Sequence, residues 1–204
     1  MSVGGDGTFL DAARHLLDRP ILGVNSDPEH SVGRFCSANP KIFKAVLDHV
    51  IHNKLRIQTV YRMQIRIDGR LYPTPILNDV LICHACPAAM SHYVLKLKGT
   101  QERQRSSGIW ISTAAGSTGV VKSLGGKVLG LGSDKLQYRP RELYEGRERH
   151  YRLTGGVFAA KDGLKVLSQT PQGMIYVDGA HRKLKFSEGV WLSVEARQPV
   201  LKVL

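Results

Sequence analysis

Tyr61-Arg62-Met63-Gln64-Ile65-Arg66-Ile67-Asp68-Gly69 alternates apolar and polar residues and closes on an Asp-Gly pair. Alternation with period two is the mark of a β-strand whose two faces meet different surroundings, and Asp-Gly supplies the positive φ angles of a tight hairpin. Up to Leu55 the apolar residues recur at helical spacing instead. Phe9, Leu10, Ala13, Leu16 and Leu17 form one such stripe, expected to be a helix opening at Thr8. Ile42, Phe43, Val46, Leu47, Val50 and Ile51 form another, with Asn39-Pro40 as its N-cap and first helical residue. Between the two, Pro20–Asn25 is a short apolar run suited to a buried parallel strand. Beyond residue 55 come strand candidates at Ile76–Ile82, Tyr93–Leu97, Ile109–Ser112, Lys165–Leu167, Met174–Val177 with Asp178-Gly179 as turn, Val190–Val194 and Val200–Val203. The expected fold class is therefore α/β plus all-β. A partial α/β domain over residues 1–55 precedes a domain of short strands over residues 56–204.

With 204 residues, 42% of them hydrophobic, the chain can bury a core of that kind. The excess of 29 Lys and Arg over 17 Asp and Glu gives a net charge of +12, which favours anionic partners. Much of the charge is spread over solvated faces, and from Arg139 to Arg152 the arginines alternate with Glu142, Glu145 and Glu148, so nucleic acid is not expected as a partner. No apolar run is long enough for a membrane helix and the start is no signal peptide, so no membrane partner is expected. Three cysteines are too few for a disulfide scaffold, and the expected location is the cytoplasm. Cys83 and Cys86 have the spacing of half a zinc site, but no second pair exists, and they read as structural.

Three stretches could carry chemistry. Gly4-Gly5-Asp6-Gly7-Thr8 stands before the first helix, where glycines allow backbone N–H groups to approach a ligand and the helix end favours phosphate. An Asp there is a base for a hydroxyl, a ligand of the metal that accompanies phosphates, or a cap. Asn78-Asp79 interrupts the apolar run Ile76–Ile82, and adjacent residues of a strand face opposite ways, so at least one meets an interior or a pocket. An amide beside a carboxylate suits ribose hydroxyls, although a strand-end surface pair would look the same. Ser112-Thr113-Ala114-Ala115-Gly116-Ser117-Thr118-Gly119 reads as a tight loop of small donors suited to a dinucleotide, or as a plain turn. Two other phosphate motifs are excluded: Val121 stands where a P-loop ending at Gly126-Lys127 needs glycine, and Leu10 stands where a dinucleotide fingerprint needs its third glycine.

In this order and spacing the three stretches resemble the NAD kinase family. Gly23–Pro28, Cys86–Ala89, Arg105–Gly108 and Ser112–Thr118 are similar to its plant-type NADH kinase branch. The resemblance implies a Rossmann-like α/β domain followed by a β-sandwich, with the substrate between them. It implies an NAD(H) kinase that moves the terminal phosphate of ATP to the adenosine 2′-hydroxyl of NAD or NADH, with Mg²⁺ as the divalent metal. By the same resemblance Asp6 assists proton removal, Gly5, Gly7 and Thr8 border the phosphates, Asn78 and Asp79 hold the nicotinamide-side ribose, and Ser117, Thr118 and Gly119 line the dinucleotide site. No protein side chains are expected as dedicated metal ligands, and a homo-oligomer is expected. Ala114, Ala115, Gly119, Val120, Ser107 and Ala180 depart from the commoner family residues and point to a different dinucleotide preference. The strand entering the glycine turn is reduced to Ser2-Val3, with no βα units before it, so weak activity, aggregation or dependence on self-association is expected of this chain. The rival readings are a lipid or sphingoid-base kinase that shares the glycine turn, and a nucleotide-binding module without catalysis.

Overall fold

The computed structural model describes residues 1–146, 150–195 and 198–204. The chain starts with β1 (Ser2–Val3), α1 (Asp6–Arg14), β2 (Gly23–Val24) and α2 (Phe43–Ile51). It continues through β3 (Gln58–Tyr61), β4 (Ile65–Ile67), β5 (Arg70–Leu71), β6 (Asp79–His84), β7 (Ser91–Leu97), β8 (Thr100–Ser106) and β9 (Ile109–Ser112). After a 3₁₀ turn at Ala115–Thr118 and the short α3 (Val120–Ser123) come β10 (Lys135–Pro140), β11 (Gly156–Ala159), β12 (Lys165–Ser168) and β13 (Gly173–Val177). β14 (Arg182–Lys185), β15 (Trp191–Val194) and β16 (Val200–Val203) complete the chain. The protein is mostly sheet with few helices, and among the described residues no helix is long and apolar enough to cross a membrane. Of the Arg-Glu alternation noted above, residues 147–149 lie outside the described residues.

Two antiparallel sheets of six strands run in the orders β11-β10-β9-β6-β13-β14 and β5-β4-β15-β12-β7-β8. Alternate residues of both enter one apolar cluster: Val80, Ile82, Ile109 and Ile111 from the first sheet, and Tyr93, Leu95, Leu192 and Val194 from the second. This is the burial that period-two patterning demands. The hairpin read at Asp68-Gly69 forms between β4 and β5, with both residues at positive φ (49° and 79°).

The amino-terminal strands pair in parallel, Ser2 with Gly23 and Val3 with Val24. On the other edge of the same run, the N–H of Ile21 donates to Lys202 O (2.9 Å) and that of Leu204 to Ile21 O (2.9 Å), so the end of the chain returns to lie beside its beginning. Val60 of β3 and Leu201 and Val203 of β16 accordingly share a cluster with Phe9, Ala13, Ile21 and Phe35.

Several expectations are corrected. The polar positions of the opening alternation do not all face water: Arg62 is 1% exposed and Gln64 is 8% exposed. Regular pairing breaks between Tyr61 and Ile65, where the chain passes from the β16 pair to the β15 pair. Helix α1 begins at Asp6 rather than Thr8. Asn39 does not cap α2 directly; its Oδ1 accepts from Lys41 N (3.0 Å) and Ile42 N (3.3 Å), closing a turn before the helix starts at Phe43. Strands β3, β5, β8, β10, β11 and β14 were not among the expected strands. In β8, Thr-Gln-Glu-Arg-Gln-Arg-Ser, the strand exists because Lys98-Gly99 (φ 50° and 79°) turns it back onto β7.

Candidate functional site

Gly4 has φ +148°, and a Cβ on it would lie 2.4 Å from Thr8 Oγ1, so the turn requires glycine there. Helix α1 follows at once, and its first α-helical hydrogen bond runs from Phe9 N to Gly5 O (3.1 Å). The N–H groups of Asp6, Gly7 and Thr8 precede that bond and point out of the helix end, an arrangement suited to an anion. Gly7 and Thr8 are exposed, while Gly5 and Asp6 are half-buried. Asp6 Oδ1 accepts the backbone N–H of Phe35 at 3.1 Å, and no hydrogen bond to Oδ2 forms among the described residues. The Phe9 and Phe35 rings stack beneath, 5.1 Å apart, and tie the 31–36 loop to the helix. Cys36 Sγ reaches Gly4 O at 3.7 Å, and its thiol is pushed up by burial and then by the Asp6 charge.

The 112–118 loop is placed against Asn78-Asp79 by sheet register, since Asp79 stands opposite Ser112. Thr113 N donates to Asn78 O at 3.0 Å, and Thr113 Oγ1 donates to Leu77 O at 2.5 Å. Gly116 packs flat on this segment; a Cβ there would lie 2.4 Å from Asn78 O. Ser117 is fully buried, donating to Ala114 O (2.7 Å) and accepting from Leu129 N (2.9 Å), so its hydroxyl shapes the loop. Thr118 and Gly119 are exposed at its far end. Arg34 joins them to the glycine turn: Nη1 donates to Ala115 O at 2.9 Å and to Thr118 Oγ1. Because Arg34 precedes Phe35, the Asp6 contact and the Thr118 contact are neighbours along one loop.

Asn78 is half-buried and Asp79 buried, and Asn78 Nδ2 donates to Asp79 Oδ2 at 3.0 Å. Asp178, from the turn after β13, is also buried; its Oδ1 accepts from Asn78 N (2.7 Å) and Asp79 N (3.2 Å), and its Oδ2 from Leu77 N (3.2 Å). Burial, then the nearby Asp178, pushes the Asp79 carboxyl up to about 7. Burial also raises Asp178, against the pull of the three backbone donors and Arg14. Asp178, Arg14 and Arg34 were missed as site residues. Asp178 was legible as a hairpin turn and, by the family resemblance, as part of the Asp178-Gly179-Ala180 stretch that closes the site, but with no role of its own; the arginines were legible only as surface charge.

No group of three or more His, Cys, Asp or Glu side chains among the described residues is arranged to hold a metal by itself. The Asp6 Oδ2 beside the turn fits a cation that arrives with phosphates and needs one carboxylate from the protein. Cys83 and Cys86 line a cavity of about 200 Å³ together with His84, Ser107 and Arg141, and both thiols are free.

A glycine turn at a helix end, with an acid inside it and buried polar groups held at its flank, is the arrangement suited to a nucleotide-binding protein that handles phosphate. No family model matches the chain. Its whole length aligns at 33% identity with a probable NADH kinase of Oryza sativa subsp. japonica, of which the match covers 70%. Among solved structures it is similar to an NAD kinase from Archaeoglobus fulgidus in complex with ATP, with TM-score 0.78 at 22% identity over 98% of this chain and 75% of that one. It is also similar to yeast NADH kinase complexed with NADH, with TM-score 0.83 at 16% identity over 98% of this chain and 59% of that one. The chain belongs to the NAD kinase family.

Proposed function

We propose that this protein transfers the terminal phosphate of ATP to the adenosine 2′-hydroxyl of NAD or NADH. The observation that carries the reading is Asp6, a carboxylate at the mouth of a phosphate-binding turn with one oxygen held by Phe35 N. A hydroxyl lying against Oδ2 loses its proton to that oxygen as it attacks. Gly5, Gly7 and Thr8 border the phosphates through backbone N–H groups of the first helical turn. Asn78 and Asp79 hold the nicotinamide-side ribose, Thr118 and Gly119 line the dinucleotide site, and Ser117 sets the shape of their loop. Mg²⁺ accompanying ATP would be held by phosphate oxygens, where it would neutralise charge developing on the transferred group and leave Asp6 Oδ2 for the hydroxyl.

The fold reading that goes with this function is a partial Rossmann-like domain over residues 1–55 and a β-sandwich over residues 56–204. The two six-stranded sheets that share one core support the second part, and the parallel pairing of β1 and β2 behind the glycine turn supports the first. The protein acts in the cytoplasm as a homo-oligomer. The test incubates purified protein with ATP, Mg²⁺ and either NAD or NADH and follows NADP(H) with an NADP-specific dehydrogenase. Phosphorylation of a sphingoid base, with neither dinucleotide turned over, would refute the reading.

A further inference from the structure

We infer that Asp178 and Arg14 form a positioning clamp that holds the Leu77–Asp79 segment at a set place relative to the glycine turn. The inference rests on the kinase reading and deepens it. Asp178 takes three consecutive backbone N–H groups, those of Leu77, Asn78 and Asp79, on its two carboxylate oxygens. Its own N–H donates to Asp79 O at 2.9 Å, so the segment is held by four hydrogen bonds to one residue. Those N–H groups belong to a buried stretch, and without Asp178 they would lack partners in the place where Asn78 and Asp79 must be held still.

Arg14 connects this arrangement to the other half of the site. It is the last residue of α1, the helix whose first residue is Asp6. Its side chain is 9% exposed; Nη2 donates to the Asp178 carbonyl oxygen, and Nε lies 3.9 Å from Asp178 Oδ2. Nη1 is held at 3.1 Å by Asp11 of the same helix, which limits the rotamers open to the guanidinium. One rigid helix thus carries Asp6 at its amino end and the grip on Asp178 at its carboxy end. Asp178 and Arg14 are positioning residues that act through Asn78 and Asp79. An ordinary surface ion pair would not engage a backbone carbonyl from a nearly buried arginine.

The test compares Arg14→Gln and Arg14→Lys with the wild type, in the full chain, by steady-state kinetics at saturating partner substrate. A shifted 77–79 segment raises the dinucleotide KM by about 5-fold or more and leaves the ATP KM unchanged, and lysine, which keeps the charge, restores the dinucleotide KM to within about 3-fold. A merely structural role lowers kcat in step with the folded fraction and moves neither KM, and that result overturns the clamp. Asp178→Asn is the second variant: it keeps one acceptor oxygen and should show the same selective rise, with faster hydrogen exchange at Leu77, Asn78 and Asp79. Absence of turnover in the wild type would refute the kinase reading alone. The clamp is then judged on NADH affinity by fluorescence, where a weakening of about 5-fold in Arg14→Gln supports it and equal affinity overturns it.

Discussion

Asp79→Asn should make the protein more stable above neutral pH while weakening its hold on the dinucleotide. The carboxyl is buried and raised from 3.8 to about 7, chiefly by burial and then by Asp178. Between those values the folded protein retains a proton that the unfolded chain has released. The stability contributed by this proton is therefore full below the unfolded value and is lost as pH rises through the folded one. At about 1.4 kcal/mol per pKa unit, a shift of roughly three units amounts to about 4 kcal/mol. The amide mimics the protonated carboxyl, can still accept from Asn78 Nδ2 and carries no charge toward Asp178. Urea unfolding of both proteins at about pH 5 and about pH 8 gives the comparison, with an expected gain of about 1–4 kcal/mol at the higher pH and a smaller one at the lower. A variant equal to or below the wild type at the higher pH, or a gap that does not widen with pH, would refute the reasoning. A positive result would mark Asp79 as a residue that costs stability and is retained for the site.

Asp6→Asn should lower kcat by about 10²–10⁴ and keep the dinucleotide KM within a few fold, because the amide fills the same place and accepts no proton; near wild-type turnover would leave Asp6 a mere cap. Arg62 is buried and donates to Ala13 O, Leu16 O, Leu17 O and Val200 O, so Arg62→Met should cost about 3–5 kcal/mol in urea unfolding, chiefly by depriving Leu16 O, Leu17 O and Val200 O of that donor. In Gly116→Ala the new Cβ meets Asn78 O at 2.4 Å and Ser112 Oγ at 2.6 Å, and the overpacking should cost about 1–3 kcal/mol and weaken NADH binding measured by fluorescence. Ala115, Gly119 and Val120 line a loop similar to that of the NADH kinase branch, so kcat/KM for NADH should at least equal that for NAD; a clear preference for NAD at matched metal and donor would contradict this.

What could be read along the chain was whatever depends on neighbours in sequence. The Asp68-Gly69 hairpin, β9 at Ile109–Ser112 and β16 at Val200–Val203 form at the positions their patterns indicated, because turn chemistry and side-chain alternation act over a few residues. The glycine turn before α1 was legible for the same reason. The burial of Arg62 and Gln64 has no sign in the alternation, because here the chain passes from one sheet to another with both faces covered. Strand β8 was invisible because its residues are polar and its partner β7 defines it.

The sequence by itself determined the residue types of the candidate site and the local backbone that displays them: Asp6 inside a glycine turn before a helix, an amide beside an acid at 78–79, a loop of small residues at 112–119. Only the tertiary structure decided that Phe35 N holds Asp6, that Arg34 ties that loop to Thr118, and that Asp178 and Arg14 set the position of Asn78 and Asp79. Asp178 lies 100 positions from Asn78, and Arg14 lies 164 from Asp178. A contact across such a separation leaves no periodicity or spacing to read, since it is formed by the packing of sheets and helices whose local patterns are each complete without it.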